Sequence, residues 1–285
     1  MRKIRLIHMD RVSRILYAAP RPTAGRTTMS DHARIRIFDS QGQDYKQAFQ
    51  IFLDHTNQKR NARTWLERVV KGLPNRRAFI DAGAGNGEMA KTFAGSFTHT
   101  IAIEPNTHLL NQLRQALSAV EAIEQPIMEA QPTAQGDFVL CSHTLYYIPA
   151  KDWLAHIERL VSWMAPGGVT VHVLQHRESG CMNMLHHFVG HRFELRQTME
   201  TFRTKHGDRF EVTMAMEPAH VETPDLTKTK AVAEFMLNLL DLTNPPATSE
   251  VETYLKSHFA QPNGSFKIPV NQDFVEIRHG ASRVV

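Results

Sequence analysis

One stretch of the chain decides the fold: Ala78-Phe79-Ile80-Asp81-Ala82-Gly83-Ala84-Gly85-Asn86-Gly87-Glu88. Its first residues form a short apolar run of the kind found in buried strands. The three glycines that follow let the backbone turn sharply and approach a ligand closely, because glycine has no side chain and adopts positive φ freely. The stretch therefore predicts a strand, a ligand-binding loop and a helix in succession.

The rest of the chain continues this alternation. Further strands are predicted at Thr100–Ile103, near 122–128, at Asp137–Cys141 and at Val169–Leu174. Helices are predicted at 43–59, 61–71, 88–95, 107–120, 151–164, near 193–205 and near 228–241. Alternation of this kind is typical of parallel strands joined by right-handed crossovers. Two later strand-like runs, Phe210–Met216 and Phe266–Arg278, are expected to add an antiparallel edge.

Composition excludes several classes of protein. The chain has 285 residues, of which 42% are hydrophobic and 22% charged, so it can bury a large core and is not globally disordered. No run approaches the roughly 20 apolar residues that a membrane-spanning helix needs. The two cysteines, Cys141 and Cys181, cannot build a disulfide framework, and the expected location is therefore the cytoplasm.

The net charge of +4 is concentrated at the amino terminus. Residues 1–36 contain nine Lys or Arg and two Asp, whereas the remainder contains 24 basic and 27 acidic residues. A nucleic-acid-binding domain carries its excess positive charge on the folded surface that follows the phosphates. We therefore expect a basic, flexible extension at 1–36. A mitochondrial presequence and a nucleic-acid-binding arm are the alternatives for this segment.

Three segments fall where predicted parallel strands end, which is where doubly wound sheets bind ligands. They are the loop Asp81–Gly87, Glu104, and Ser142-His143-Thr144. Glu104 is placed to accept hydrogen bonds from both ribose hydroxyls of an adenosine. Asp81 suits a cationic amino group and would repel a pyrophosphate. The G-x-G-x-G spacing fits an NAD fingerprint poorly, and the chain has no P-loop sequence.

Together these segments resemble the class I S-adenosylmethionine-dependent methyltransferases. The resemblance covers about 75–175 and rests also on Ile103-Glu104-Pro105-Asn106, Asp137-Phe138-Val139 and Met164-Ala165-Pro166-Gly167-Gly168. It implies S-adenosyl-L-methionine as the cofactor. It also implies an α/β, Rossmann-like, doubly wound and mostly parallel seven-stranded sheet, with an N-terminal helical lid and a small helical insertion between the last strands.

A narrower resemblance, over 38–279, is to the histamine N-methyltransferase-like family. It rests on Tyr45 with Phe52-Leu53-Asp54-His55-Thr56, on Leu145-Tyr146-Tyr147 and on Asn271-Gln272-Asp273-Phe274-Val275. It implies a helical lid at 37–75, whose 43–59 helix covers the cofactor. It also implies a cofactor-binding domain at 76–285 with a helical substrate insertion at about 177–262. Where the family places an acid that binds the substrate's imidazole, this chain has Gln58, which disfavours histamine itself.

The predicted site combines the strand-end motifs with the family pattern. The predicted cofactor-binding residues are Tyr45, Asp81, Gly83, Ala84, Gly85, Glu104, Pro105, Leu109 and Ser142. The predicted substrate-binding residues are Phe52, Gln58, His143, Tyr147 and Asn271. The predicted catalytic residues are His143, as a base or a hydrogen-bonding clamp, and Tyr146. No metal is expected.

The leading hypothesis is N-methylation of a small amine or heterocycle, with oxygen as the less favoured acceptor atom. A neutral amine needs only positioning, exclusion of water and a base for the departing proton. The first alternative is cyclisation of S-adenosylmethionine to azetidine-2-carboxylate with release of methylthioadenosine. The second is a non-catalytic protein that binds S-adenosylmethionine or nucleic acid. The expected partner is a small molecule bound by a monomer, with no nucleic acid and no membrane.

Overall fold

The computed structural model describes residues 34–39, 42–240 and 242–280, so the predicted extension at 1–36 lies outside the described residues apart from 34–36. The helices are α1 (Gln43–His55), α2 (Gln58–Lys71), α3 (Glu88–Phe93), α4 (Thr107–Ala116), α5 (Trp153–Ser162), α6 (Gly180–Val189), α7 (Leu195–His206), α8 (Leu226–Leu237) and α9 (Thr248–Phe259). The strands are β1 (Ala78–Ala82), β2 (His99–Ile103), β3 (Glu121–Ile123), β4 (Gly136–Ser142), β5 (Met164–Gln175), β6 (Phe210–Glu217), β7 (His220–Thr223), β8 (Phe266–Pro269) and β9 (Gln272–His279).

Seven strands form one sheet in the order β3-β2-β1-β4-β5-β9-β6. The first five are parallel to one another, and β9 is antiparallel to both of its neighbours, β5 and β6. The chain builds outward from β1 to β3 on one side and then continues at β4 on the other side of β1. This confirms the predicted mostly parallel, doubly wound sheet and places its switch point between β1 and β4.

The sequence stretch that opens the sheet is buried on both faces. All five residues of β1 are buried, which is the pattern of a central parallel strand covered by helices on both sides. On one face Phe79 and Phe138 stack at 5.2 Å between ring centroids, and α2 covers them with Leu66 and Val70. Burying each of these side chains stabilises the fold by about 1.5–3 kcal/mol, so hydrophobic burial fixes the position of the strands that carry the site.

The chain divides into two compact units. Of the described residues, the sheet unit contains Lys59–His176, Phe193–Glu217 and 272–280, and therefore all seven strands of the large sheet. The helical unit contains the described residues up to Gln58, with those of Arg177–Arg192 and Pro218–Asn271. The sequence-based division into a lid at 37–75 and a cofactor domain at 76–285, with an insertion at about 177–262, stays a prediction.

The helical unit has its own core around α8. Phe235 of α8 contacts the rings of Tyr45, Phe49 and Phe52 from α1, with centroid distances of 5.6, 5.2 and 5.3 Å. An ion pair of 2.7 Å joins the buried Glu234 of the same helix to Arg36, whose side chain is half exposed. Strands β7 and β8 form a separate two-stranded sheet within this unit.

The expectation of one strand-like run over Phe266–Arg278 is wrong in one respect. The run contains two strands that belong to different sheets, because β8 pairs with β7 whereas β9 pairs with β5 and β6. The break follows Pro269, which has no N–H group with which to continue a ladder. The backbone N–H of Val270 instead donates to the carbonyl of Ala219 at 2.8 Å.

Asp137 joins β4 to the residues that lead into β1. Its side chain is 2% exposed and accepts hydrogen bonds from the backbone N–H groups of Arg77 and Ala78 and from the Arg77 guanidinium, at 2.6, 3.3 and 2.7 Å. Burial raises the pKa of Asp137, but these hydrogen bonds and the Arg77 charge outweigh it and leave the pKa below its ordinary value.

We expect Asp137→Ala to lower the free energy of unfolding by about 2–3 kcal/mol, because buried N–H groups lose their acceptor. In the wild-type protein this contribution is present above the ordinary Asp pKa and is lost as the pH falls through the native pKa of Asp137. Urea unfolding at several pH values measures both effects. The exposed Asp208→Ala is the control and should change neither. Equal stability of Asp137→Ala and wild type would contradict this role.

Candidate functional site

The candidate site lies at the carboxyl ends of β1, β2 and β4 in the sheet unit. β1 ends at Ala82 and β4 ends at Ser142, and the two strands are hydrogen-bonded neighbours at the switch point. Asp81 is the next-to-last residue of β1, and the glycine loop follows that strand. Glu104 follows β2, and His143 follows β4. The structure therefore brings together, at one sheet edge, the three segments that the sequence predicts to bind a ligand.

The glycine loop is held by the end of β2. The backbone N–H groups of Gly83 and Ala84 both donate to the carbonyl of Ile103, at 2.8 and 3.0 Å. Gly83 and Gly85 have positive φ angles of 77° and 54°. A Cβ atom at Gly83 would lie 2.2 Å from Thr144 Oγ1, whereas a Cβ at Gly85 would meet no atom of the described residues within 4 Å. Gly83 is thus required for packing, and Gly85 borders open space that a ligand can fill.

Glu104 also holds the glycine loop, through a hydrogen bond from the loop backbone to its side chain. Its two carboxylate oxygens accept hydrogen bonds from the backbone N–H groups of Gly85 and Asn106, each at 2.9 Å. Burial raises the pKa of Glu104, and the two N–H donors oppose that rise. Each carboxylate oxygen has a further lone pair, so Glu104 can accept additional hydrogen bonds from a ligand. Beside it, Pro105 is exposed and Leu109 is half-buried.

Asp81 is a buried carboxyl group with unused hydrogen-bonding capacity. Its residue is 2% exposed, and among the described residues its Oδ2 has no hydrogen-bond partner. Burial raises the pKa of Asp81 to about 7, a hydrogen bond from the Ala90 N–H opposes this, and the charge of Glu104 raises the pKa further. A cationic group placed at this carboxyl would both pair with Oδ2 and favour the ionised form.

His143 occupies a strained position directly after β4. Among the residues that the structure describes it is the only non-glycine residue with a positive φ, 56°. Its Nδ1 lies 3.1 Å from the hydroxyl of Tyr146, and its Nε2 lies 2.6 Å from Nε2 of Gln272. Burial lowers the pKa of His143 to about 4, and the positive charge of Lys59 lowers it further. The imidazole is therefore neutral at pH 7 and both ring nitrogens are engaged.

The two tyrosines predicted after β4 lie in a short 3-10 helix, Leu145–Tyr147. The Tyr146 hydroxyl accepts a hydrogen bond from the backbone N–H of Gln175 at 2.7 Å, and its ring meets Phe193 edge-on at 4.8 Å. The ring of Tyr147 lies 6.4 Å from that of Tyr146. Tyr146 thus connects His143 to the end of β5.

Four predicted residues belong to the helical unit rather than to the sheet unit: Tyr45, Phe52, Gln58 and Asn271. Tyr45 and Phe52 pack in the aromatic core around α8, and burial raises the pKa of Tyr45. The buried amide of Gln58 donates to the carbonyl of Val270 at 3.2 Å, and the side-chain oxygen of Asn271 accepts from the N–H of Ala219 at 3.1 Å. The ligand-binding roles of these four residues stay predictions.

The sequence-based reasoning missed contacts that join distant parts of the sheet unit. Gln272 touches His143 across 129 positions of the chain, and Thr144 fills the space beside Gly83. Lys59 at the start of α2 pairs with Glu88, which follows the glycine loop. Gln272 is the first residue of β9 and lies beside the last residue of β5, a position that the sequence pattern does not show.

The described residues show neither a metal cluster nor a membrane-spanning helix. Within the described ranges no group of three or more His, Cys, Asp or Glu side chains is placed to hold a metal ion. In the same part of the chain, no helix combines the length and the apolar character needed to cross a bilayer.

The chain resembles solved structures in fold, and part of its sequence matches a protein-family model. No curated protein matches the chain. Among solved structures, the YcgJ protein of Bacillus subtilis is 15% identical with a TM-score of 0.51, over 76% of this chain and 98% of that one. A functionally unknown protein from Deinococcus radiodurans R1 is 15% identical with a TM-score of 0.50, over 76% and 86%. The N-methyltransferase NodS from Bradyrhizobium japonicum WM9, in complex with S-adenosyl-L-homocysteine, is 14% identical with a TM-score of 0.49, over 84% and 100%.

At 15% identity, the YcgJ structure and the Deinococcus radiodurans structure show a shared fold. The sequence comparison goes further, because a family model described as a methyltransferase domain matches residues 53–215. That range is more than half of the chain and includes the glycine loop, Glu104 and His143. The chain therefore belongs to the methyltransferase-domain family.

Proposed function

We propose that this protein is an S-adenosylmethionine-dependent methyltransferase that methylates a nitrogen atom of a small amine or heterocycle. The observation that carries the cofactor assignment is the pair of buried carboxyl groups, Asp81 and Glu104, on either side of a glycine loop. This arrangement offers one unpaired carboxylate oxygen, a second carboxylate with lone pairs to spare, and open space at Gly85.

The donor and acceptor set fits the chemistry of S-adenosylmethionine. Its α-ammonium group would pair with Asp81, directly or through one water. Its ribose hydroxyls would donate to Glu104, and the bare backbone at Gly85 would allow the ligand to approach. When bound, the cofactor supplies a methyl group on a sulfonium, which a nucleophile displaces in line. The protein's own task is then to position that nucleophile and to exclude water.

The group next to the cofactor edge that could face a methyl acceptor, His143, is uncharged. His143 is neutral at pH 7, and its two ring nitrogens are engaged by Tyr146 and Gln272, so it orients these two side chains rather than acting as a base. A pKa of about 4 is far below the value that suits a base at neutral pH. A small molecule is favoured over nucleic acid because residues 37–285 carry 24 basic and 27 acidic residues.

The raised pKa of Asp81 gives the cofactor site a pH dependence. Because the native pKa is about 7, Asp81 binds a proton in much of the free protein below that pH. A bound ammonium group favours the ionised carboxylate, so binding releases this proton. We expect the affinity for S-adenosylhomocysteine to rise as the pH rises from about 5 toward 7, by up to tenfold per pH unit, and then to level off.

Calorimetry in buffers of different ionisation enthalpy measures both the affinity and the proton release. Asp81→Asn keeps the shape of the side chain and removes its titration, so it should bind the ligand more weakly with no proton release below pH 7. The exposed Asp208→Asn should behave as wild type. An affinity independent of pH in the wild-type protein would remove Asp81 from the ammonium site.

The proposed activity is tested by incubating the protein with S-adenosylmethionine and a panel of small amines and heterocycles. We expect S-adenosylhomocysteine to form only when an acceptor is present, together with an N-methylated product identified by mass spectrometry. Methylthioadenosine formed from the cofactor alone would contradict methyl transfer. Failure of the protein to bind S-adenosylhomocysteine would contradict the cofactor assignment itself.

A further inference from the structure

Gln272 lies at the same sheet edge as the candidate site and has no role in the prediction from sequence. It is the first residue of β9 and pairs with Gln175, the last residue of β5. Side chains alternate between the faces of a strand, so Gln272 shares a face with Phe274, as Asp81 shares a face with Phe79. Phe79 and Phe274 belong to one core cluster. Gln272 and Asp81 therefore lie on the same face of the sheet, near the carboxyl ends of its parallel strands.

One end of the Gln272 amide fixes the ring of His143. The amide nitrogen lies 2.6 Å from Nε2 of His143 and donates to it, so Nε2 carries the lone pair of the neutral imidazole. The ring proton is then on Nδ1, which donates to the Tyr146 hydroxyl 3.1 Å away. The neutrality of His143 agrees with this arrangement, since a protonated Nε2 would face a second donor.

The other end of the Gln272 amide is unsatisfied. The residue is 1% exposed, and its Oε1 has no hydrogen-bond partner among the described residues. A buried acceptor without a donor costs about 1–3 kcal/mol, so native structures retain few of them, and those that remain call for an explanation such as a ligand or an ordered water. The strained backbone at His143 is a second sign of a functional position, because strain of this kind clusters at ligand-binding sites.

We propose that Gln272 is part of the acceptor site: its amide nitrogen holds the His143 ring in one tautomer, and its carbonyl oxygen accepts a hydrogen bond from an N–H or O–H group of the methyl acceptor. This inference rests on the proposed function, since the acceptor is the substrate of that reaction. The inference also specifies which hydrogen-bonding group the methyl acceptor must carry. The methyl acceptor carries at least one N–H or O–H group, because the Gln272 side-chain oxygen can only accept a hydrogen bond.

The tautomer is tested without any acceptor. In protein labelled with 15N-histidine, the His143 ring signals are assigned from a His143→Asn difference spectrum. We expect the Nδ1–H tautomer in the wild-type protein bound to S-adenosylhomocysteine. In Gln272→Glu the carboxylate can only accept, so the ring should acquire an Nε2–H and its pKa should rise. The Nε2–H tautomer in the wild type would overturn the proposed positioning of His143.

The acceptor class is tested with two matched probes, imidazole and N-methylimidazole, at a pH where both are neutral. The probes differ in the presence of an N–H donor. In the complex with S-adenosylhomocysteine we expect imidazole to bind at least about tenfold more tightly than N-methylimidazole. Gln272→Leu should abolish that preference. The exposed Gln197→Leu serves as the matched control and should retain it.

The outcomes separate this inference from the function on which it rests. If wild type and Gln272→Leu bind S-adenosylhomocysteine equally and only wild type prefers imidazole, both stand. If S-adenosylhomocysteine binds but wild type shows no preference, or binds neither probe, the Gln272 inference fails and the cofactor assignment survives. If wild type does not bind S-adenosylhomocysteine, the proposed function fails. Bound S-adenosylhomocysteine also shows that a variant is folded.

Discussion

Replacing Glu104 with Ala should weaken the binding of S-adenosylhomocysteine more than any other single removal of a polar side chain in the site. Two losses combine in this variant. The ribose hydroxyls lose a charge-assisted acceptor worth about 1.5–3 kcal/mol, which alone corresponds to a tenfold to hundredfold weaker affinity. The N–H groups of Gly85 and Asn106 also lose the carboxylate oxygens that hold them at 2.9 Å, so the loop is less well ordered before the ligand arrives.

Calorimetric titration measures the affinity, and two further variants separate the causes. Glu104→Gln keeps one carbonyl oxygen and should lose less affinity than Glu104→Ala. The exposed Glu129→Ala removes a carboxylate outside the site and should leave the affinity unchanged. Circular dichroism checks that each variant is folded. If Glu104→Ala bound the ligand as tightly as wild type, Glu104 would have no part in holding the ribose.

The parts of the fold that could be predicted from sequence are those with a local signal. β1, β4 and β5 are apolar runs flanked by turn residues, and burial alone decides that such runs become central strands. Pro269 marks a break within Phe266–Arg278, but no local signal shows which sheet each half joins. The sheet that each half joins depends on which partner it meets, since β8 pairs with β7 and β9 completes the large sheet. Such pairings are set by tertiary contacts.

The same distinction explains the site. Asp81, Glu104 and Ser142 could be predicted because each lies at or directly after the carboxyl end of a strand, and parallel topology brings such ends together. The position of His143 could be predicted but its protonation state could not, since its tautomer depends on Gln272 and Tyr146, and its low pKa depends on burial and on the charge of Lys59. The contacts of Thr144 with Gly83 and of Gln272 with His143 were not predicted, because the partners are far away in sequence or on another strand. Such contacts depend on tertiary packing, and the hydrophobic periodicity of the sequence does not predict them.

Two glycines of the same loop should respond to substitution in opposite ways. In Gly83→Ala the new methyl group would lie 2.2 Å from Thr144 Oγ1 on a backbone with φ of 77°. We expect this variant to lose about 2–5 kcal/mol of stability through steric overlap and left-handed strain. In Gly85→Val the side chain would enter open space, so the fold should survive with a strain cost of about 1–2 kcal/mol, while the ligand can no longer approach the loop.

Matched controls make the comparison between the two glycines decisive. Gly190, at the end of α6, has φ of 71°, and a Cβ atom there would meet no atom within 4 Å, so Gly190→Val carries similar strain outside the loop. It should lower the melting temperature as Gly85→Val does and leave the affinity for S-adenosylhomocysteine intact. Gly85→Asn, in which the residue tolerates positive φ, should bind poorly with little loss of stability. Tight binding by both Gly85 variants would show that the open space beside this glycine holds no ligand.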